Sequence, residues 1–493
     1  MAACEHPQHR AHLLRHHADP ERPGGPSRRD LLRLGLFGGA VTAAFGSSGL
    51  WSSLAHAVEN GPPVAKVKDR YFLFLYFPGA WDILQSLDPR DPVAFNEGNV
   101  AKTNILPGYD KLKSGTQQTN KPVWVPDAKG QPVLLGAQLG SVIDQFKKGR
   151  VSLVRGISMD TLTHEVGRRR FITAKPPSGL LARGSSCATW LSTLLGEKEI
   201  VPNLALRFES YNVDQPNYAS GLKVSSVADL VRALKQSPDA LGAKSSALVD
   251  AFLAQQAACP SAAARASWSV AEASRLKGKQ MTAGGLDKLF EFQAKTPEME
   301  KVRGHYGISA TDPGAMSSLP AQAAMAVTAL TSGVSRVVSA TLSDGLDTHF
   351  EDWTSQQCPR QLAGFELVSK ILDDLASKPF GDQSGDSWLD HVTVLVFSEF
   401  SRSPTLNQYT GRDHHLTNAC LVGGAGIVGG RVFGASSDVA MAPTAASLKT
   451  GMPQPGGEIV KPEHIYMAFQ HQLGIGGDPY DLRVGPLTAI LKV

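Results

Sequence analysis

Residues 337–349, VVSATLSDGLDTH, and residues 392–402, VTVLVFSEFSR, share one pattern: an apolar, β-rich run that breaks off into hydroxyl, carboxylate and charged side chains. Continuous apolar runs of this length are the mark of strands buried on both faces, as in parallel sheets. The first run, Val337 to Leu342, delivers Asp347, Thr348 and His349, and the second, Val392 to Phe397, delivers Ser398, Glu399, Phe400, Ser401 and Arg402. A loop with Asp413, His414 and His415 comes next. A helix over residues 359–376 bridges the two runs, so the order is strand, helix, strand, which predicts a parallel α/β sheet. Ligands of such sheets bind beyond the carboxyl ends of the strands. The stretch 339–434 therefore reads as the builder of a site.

The pattern recurs upstream. Tyr71 to Phe77 (YFLFLYF) is a first buried strand, ending in Pro78, Gly79, Ala80, Trp81 and Asp82. Asp82 then stands either as a ligand at the strand end or as the cap of the next helix. After a surface insertion over 90–135 and a helix over 139–146, Val151 to Ile157 forms the next strand. It delivers Asp160, Thr161, Thr163 and His164, then Arg168, Arg169 and Arg170, a set that suits an anion or ordinary helix capping. A short strand covers 204–208, and residues from about 227 to 302 read as a mostly helical insertion. A helix over 320–332, a strand over 419–422 and a closing helix over 462–473 complete the chain. The expected fold class is α/β, a doubly wound, mostly parallel sheet with a helical insertion. Gly424, Gly426 and Gly429 spell GxGxxG after a strand, but residues 430–438 do not read as the helix that a dinucleotide fold requires.

Across 493 residues, 42% are hydrophobic and 19% charged, and the formal charge is +4, which excludes disorder as the general state and gives no sign of nucleic-acid binding. Ser27, Arg28, Arg29, Asp30, Leu31 and Leu32 form a twin-arginine signal, followed by a moderately apolar run over 34–54 and a small-x-small cleavage site at Ala55, His56 and Ala57. The expectation is a signal peptide over 1–57, one decorated domain over 58–493, and a periplasmic or secreted protein exported by the twin-arginine machinery. A membrane anchor is the alternative, weakened by the Gly, Ser and Thr inside the run. Cys187, Cys259, Cys358 and Cys420 remain after cleavage, either as disulfides or as buried thiols.

Asp347 and His349 straddle Thr348, so in an extended segment both point to one side and can grip one cation. Glu399, Asp413, His414 and His415 offer further ligands. Mixed carboxylate and imidazole sets suit zinc, manganese or iron, whereas oxygen-dominated sets suit magnesium or calcium.

The twin-arginine start, PGAWD at 78–82, THE and FIT at 163–165 and 171–173, DTH at 347–349, SEFSR at 398–402, DHH at 413–415 and GGAGIVGGRVFG at 423–434 together resemble the exported bacterial family called domain of unknown function 1501. That family is in turn similar to sulfatases and alkaline phosphatases. The resemblance implies a sheet of alkaline-phosphatase/sulfatase type with one or two divalent ions, zinc, calcium, magnesium or manganese. Asp82 matches the first-strand ligand, and Asp347, His349 and His414 or His415 match the ligands of the other ion. Glu399 stands where the superfamily usually has Asp, and Phe400 where it usually has His, which bears on the second ion. Thr163 and Thr161, next to His164, hold the place of the nucleophile, and no CxPxR signature is present. The function so implied is hydrolysis of a phosphate or sulfate ester of a small molecule or glycan. Thr163, Thr161, His164 and Arg402 would be catalytic, with Arg402 or Arg168 steadying the anion. The alternative is a non-catalytic exported surface or glycan-binding protein that keeps the fold with a partial metal site. Oligomeric state is not readable.

Overall fold

Tyr71–Tyr76 form strand β1, and all six side chains are buried. A strand with no solvent face must be flanked on both edges and covered on both sides, which is why its residues are all aromatic or aliphatic. The structure, a computed structural model, describes residues 69–112, 120–176, 184–236, 242–257, 266–381 and 385–492. The signal-peptide reading over 1–57 and Cys259 lie outside the described residues.

The remaining strands of the central sheet are β2 (Val151–Ser158), β3 (Asn203–Leu206), β4 (Leu222–Val224), β5 (Val337–Thr341), β6 (Val392–Phe397), β7 (Thr417–Gly424) and β8 (Val432–Phe433). The eight strands lie in the order β8-β2-β7-β6-β1-β5-β3-β4. β1 pairs in parallel with both β5 and β6, Leu73 standing opposite Val338 on one side and Val394 on the other. β3 continues in parallel on β5, and β4 on β3. Of these eight strands, β7 alone runs against its neighbours, β2 and β6. The protein is thus mixed α/β with a mostly parallel central sheet. The strand expected over 419–422 is present, longer and reversed in direction.

Two compact units are distinguished among the described residues. Residues 235–285 belong to one, with helices Ala243–Ala257 and Ala266–Ala283 tied by an ion pair of 2.6 Å between Arg275 and Asp250. The sheet belongs to the other, with helices α1 (His164–Thr173), α2 (Val227–Leu234), α3 (Pro297–Tyr306), α4 (Leu319–Thr331), α5 (Cys358–Ser377) and α6 (Pro462–Gln472). No helix among the described residues is long and apolar enough to cross a membrane. Cys187, Cys358 and Cys420 are free, buried thiols whose pKa burial pushes up. After Gly424–Gly429 comes the strand β8 and no helix before α6, so no dinucleotide turn forms.

Because β1, β2, β5 and β6 all point the same way, their carboxyl ends open on one edge, and the loops beyond them meet there. The meeting is close. Gly79 has φ +96°, and a Cβ placed on it would lie 2.4 Å from the Leu346 nitrogen and 2.6 Å from the Asp347 nitrogen. Only glycine lets the loop after β1 press its backbone against the loop after β5. Ala80 next to it also takes a left-handed φ of 63°, a strained value for a residue with a Cβ. Gly79→Ala is expected to lower unfolding free energy by about 2–4 kcal/mol through strain at the positive φ and backbone collision. Urea denaturation monitored by circular dichroism measures it.

Candidate metal centre

Four side chains from three of these loops converge: His164, Asp347, His349 and His414 each bring one ligand atom, and the four atoms lie within 4.8 Å of one another. His164 opens α1 after β2, Asp347 and His349 come after β5, and His414 lies on a two-residue strand, His414–His415, paired antiparallel with Ser401–Arg402 after β6. The Asp347 Oδ1 is 3.0 Å from His349 Nε2, 3.3 Å from His164 Nε2 and 3.9 Å from His414 Nε2. The two imidazole nitrogens of His349 and His414 are 3.0 Å apart. Four donors held at 2.0–2.2 Å around one ion in a tetrahedron sit roughly 3.3–3.6 Å apart. The observed spacings bracket that range.

The far nitrogen of each ring decides what the near one can do. His414 Nδ1 is 2.5 Å from the Leu162 carbonyl, which can only accept, so Nδ1 carries the proton and Nε2 of the neutral ring is a lone pair. Burial first, then the charge of Arg402 and the other two imidazoles, pushes the His414 pKa down to about 4, despite the Leu162 hydrogen bond. The ring is therefore neutral at pH 7. His164 Nδ1 meets Glu399 Oε1 at 2.6 Å, and His349 Nδ1 meets Asp413 Oδ1 at 3.0 Å. Burial opposes ionisation of Glu399, but the hydrogen bond and charge of His164, with the Tyr76 hydroxyl, outweigh it and hold the carboxyl below its usual range. The hydrogen bond from His349 does the same for Asp413. Both rings thus donate from Nδ1, and in neutral form both turn an unprotonated Nε2 inward, that of His349 also accepting from Arg402 Nη1 at 3.1 Å.

Three imidazole lone pairs and a carboxylate oxygen consequently face one another. His164 Nε2 is buried and makes no hydrogen bond, although Asp347 Oδ1 is 3.3 Å away. A metal ion satisfies such a set, and imidazole ligands oriented by carboxylates or carbonyls behind them are the usual construction of a metal site. Three nitrogens and one oxygen suit zinc, manganese or iron, and not the oxygen cages of calcium or magnesium. The Asp347 carboxyl is held below its usual range: burial opposes this, but the hydrogen bond and charge of Arg402, then His164 and His349, prevail.

The sequence-derived candidates divide. Asp347, His349 and His414, expected as ligands, come together, and His164, expected as a catalytic group, joins them. His415 does not: neighbouring residues of a strand point to opposite sides, and its Nδ1 instead accepts from the Thr417 amide at 3.3 Å. Glu399 and Asp413, expected as ligands, stand one step behind. Both Glu399 oxygens are spent, on Gly79 N (2.9 Å) and His164, and on Tyr76 Oη (2.8 Å) and Ser398 Oγ (2.9 Å). Asp82, also expected as a ligand, is wholly buried elsewhere. It caps the next turn through Leu84 N at 3.0 Å, accepts from Trp353 Nε1 at 3.0 Å and pairs with Arg412 at 3.1 Å. Burial raises its pKa against the pull of Arg412.

The two expected anion binders are committed as well. Arg402 donates to Ala80 O, Gly79 O, Arg412 O, Asp347 Oδ1 and His349 Nε2, and its side chain is fully buried. Five N–H groups are all a guanidinium has, so in this arrangement every N–H of Arg402 is taken up within the protein. Arg168 pairs with Glu209 at 2.7 Å, and Arg170 is clamped by Glu463 at 2.6 and 2.7 Å, fixing α1 to α6. Thr163 is the N-cap residue of α1, and Thr161 Oγ1 accepts from the Thr163 amide at 3.2 Å. Among the described residues no side chain accepts a hydrogen bond from either hydroxyl. Phe400, standing where the resemblance would put a further ligand, is buried against the rings of His164 and His414, with centroids 4.9 and 4.6 Å away.

Tyr76 and the Leu162 carbonyl have no counterpart among the sequence-derived candidates. A tyrosine inside a run of aromatic strand residues and a main-chain oxygen carry no local signal of such roles.

The sequence profile of a family described as "Protein of unknown function (DUF1501)" matches residues 69–451. No curated protein and no solved structure matches the chain.

Glu399→Gln removes the charge behind His164 and is expected to weaken zinc affinity about 10–100-fold, read by competition with a chromogenic chelator. Asp82→Ala strands Arg412 in the interior and is expected to cost about 3–5 kcal/mol of stability. Zinc affinity of the folded Asp82 variant should stay within a few-fold of the parent.

Proposed function

The chain belongs to the DUF1501 family, and we propose that it is an exported hydrolase of a phosphate or sulfate ester, on a sheet of alkaline-phosphatase/sulfatase type, working with a single divalent transition-metal ion. The ion would be held by His164, Asp347, His349 and His414. The observation that carries the reading is the convergence of three imidazole nitrogens, each with its proton on the far side, on one carboxylate oxygen. A metal bound there would act as a Lewis acid toward an ester oxygen.

The chain's own groups divide the work. Glu399, Asp413 and the Leu162 carbonyl orient the three rings and keep their protons outward. Arg402 keeps Asp347 ionised and turned inward. The loop 161–163 borders the centre through Leu162, so the attacking oxygen is that of Thr163, Thr161 or a water beside them. Neither threonine has a side-chain base among the described residues, which favours the water. One ion rather than two fits Phe400, which fills the neighbouring space with an apolar ring, and Glu399 and Asp82, whose oxygens are spent within the protein.

The same residues support a second reading, an exported binding protein that keeps the centre without turnover. Elemental analysis and ester assays separate the two. The hydrolase reading expects one zinc, manganese or iron ion per chain, turnover of an aryl phosphate or aryl sulfate, and loss of that turnover on chelation and in His414→Ala. Metal at one per chain with no turnover of any ester points to binding, and a protein that takes up no metal sinks both. A Thr161→Ala/Thr163→Ala double variant that still turns over assigns the attack to water.

A further inference from the structure

A cleft of about 460 Å³ opens beside the centre, lined by His349, Phe350, Asn407, Gln408, Tyr409 and Asp413. It shares His349, a candidate ligand, and Asp413, which orients that ligand. Phe350 and Tyr409 are 58% and 56% exposed, with ring centroids 5.4 Å apart and planes at 55°. Single exposed apolar side chains are ordinary, but two touching aromatic rings left open beside a polar centre form a recognition surface.

These rings stand on a built support. Asn407 donates to the His349 carbonyl at 2.9 Å and to Asp413 Oδ1 at 3.0 Å, and accepts from the amides of Tyr409 at 2.9 Å and Gly411 at 3.0 Å. Both amide hydrogens and both lone pairs of its side chain are used, so it locks the Tyr409 turn to the loop that carries His349. Gly411 is part of the same joint: a Cβ there would lie 2.1 Å from the His349 carbonyl oxygen. None of the lining residues is lysine or arginine, and the one carboxylate faces the His349 ring. A polyanion would find no counter-charge here, whereas an uncharged ring would find aromatic surface and the side-chain amide of Gln408.

Resting on the hydrolase reading, we infer that this cleft is the leaving-group subsite and takes an uncharged six-membered ring stacked on Phe350 and Tyr409, an aryl ring or the C–H face of a neutral pyranose. The test is binding, not turnover: saturation-transfer NMR titration of the full-length protein, with and without added zinc, using phenol and a methyl hexopyranoside as separate probes. Transfer to phenol alone assigns an aryl group, and transfer to the glycoside assigns a sugar. Phe350→Ala and Tyr409→Ala should each weaken the bound probe about three- to tenfold, the scale of one aromatic contact. Trp124→Ala, which removes an exposed aromatic outside the cleft, should leave it unchanged. Absence of transfer to both probes, or transfer undiminished in both cleft variants, overturns the subsite. A protein that binds a ring through these residues but hydrolyses no ester keeps the ring-binding cleft and overturns both its leaving-group role and the hydrolase reading.

Discussion

Arg402 is the piece on which the centre depends. A guanidinium fully buried, with every N–H spent, is tolerated only where acceptors are already in place. Its acceptors come from three loops: Gly79 and Ala80 after β1, Asp347 and His349 after β5, and the Arg412 carbonyl in the long loop after β6. Removing it would take a donor from three carbonyls, a carboxylate and the His349 ring at once. It also answers an electrostatic problem, because a carboxylate surrounded by imidazole lone pairs is a repulsive arrangement. One cation beside that carboxylate keeps the loops assembled, and His164 Nε2 is left without a hydrogen bond.

Around this clamp the protein spends its carboxylates unequally. Asp347 is half exposed and points at the cluster, while Glu399 is buried and points at the back of His164. Position relative to the strand accounts for the difference. Glu399 lies two residues beyond β6, deep enough to meet Tyr76 on the neighbouring strand and the amide of Gly79. Asp347 lies six residues beyond β5, out on the loop. Phe400 then covers the floor, and it can do so because residue 167 on α1 is glycine: a Cβ there would lie 2.9 Å from the Phe400 ring. The cost of a glycine inside a helix, about 1 kcal/mol, is accepted so that α1 and His164 can sit on this floor.

The central strands, the bridging helix and three of the four convergent side chains were legible because hydrophobic runs and their polar ends are local properties of the chain. What failed to show locally depended on partners far away in sequence. Asp82 ends a strand as a ligand would, but Arg412 and Trp353 draw it inward. His414 and His415 look equivalent as letters, and only the pairing of Arg402 with His414 decides which one faces the cluster. Glu399 and Asp413 have the chemistry of ligands, and only the distance to a histidine Nδ1 makes them orienters. The arginines after His164 suggested an anion site, yet each of Arg168 and Arg170 already has its carboxylate.

The reversed direction of β7 has its cause in the same construction. A parallel strand after β6 would need a crossover that carries the chain back to the opposite edge of the sheet. Here the chain leaves β6 at Phe397 and spends residues 398–416 at the carboxyl edge on Glu399, Arg402, Asn407, Asp413 and His414. It then re-enters the sheet directly at Thr417. Starting from that edge, β7 can only run against its neighbours. The run TNACLVGG is buried along seven of its eight residues and has no alternation that would reveal a direction. Direction is set by where the preceding residues are needed, so the antiparallel strand in this sheet is the consequence of drawing His349's support and the fourth convergent side chain from a single loop.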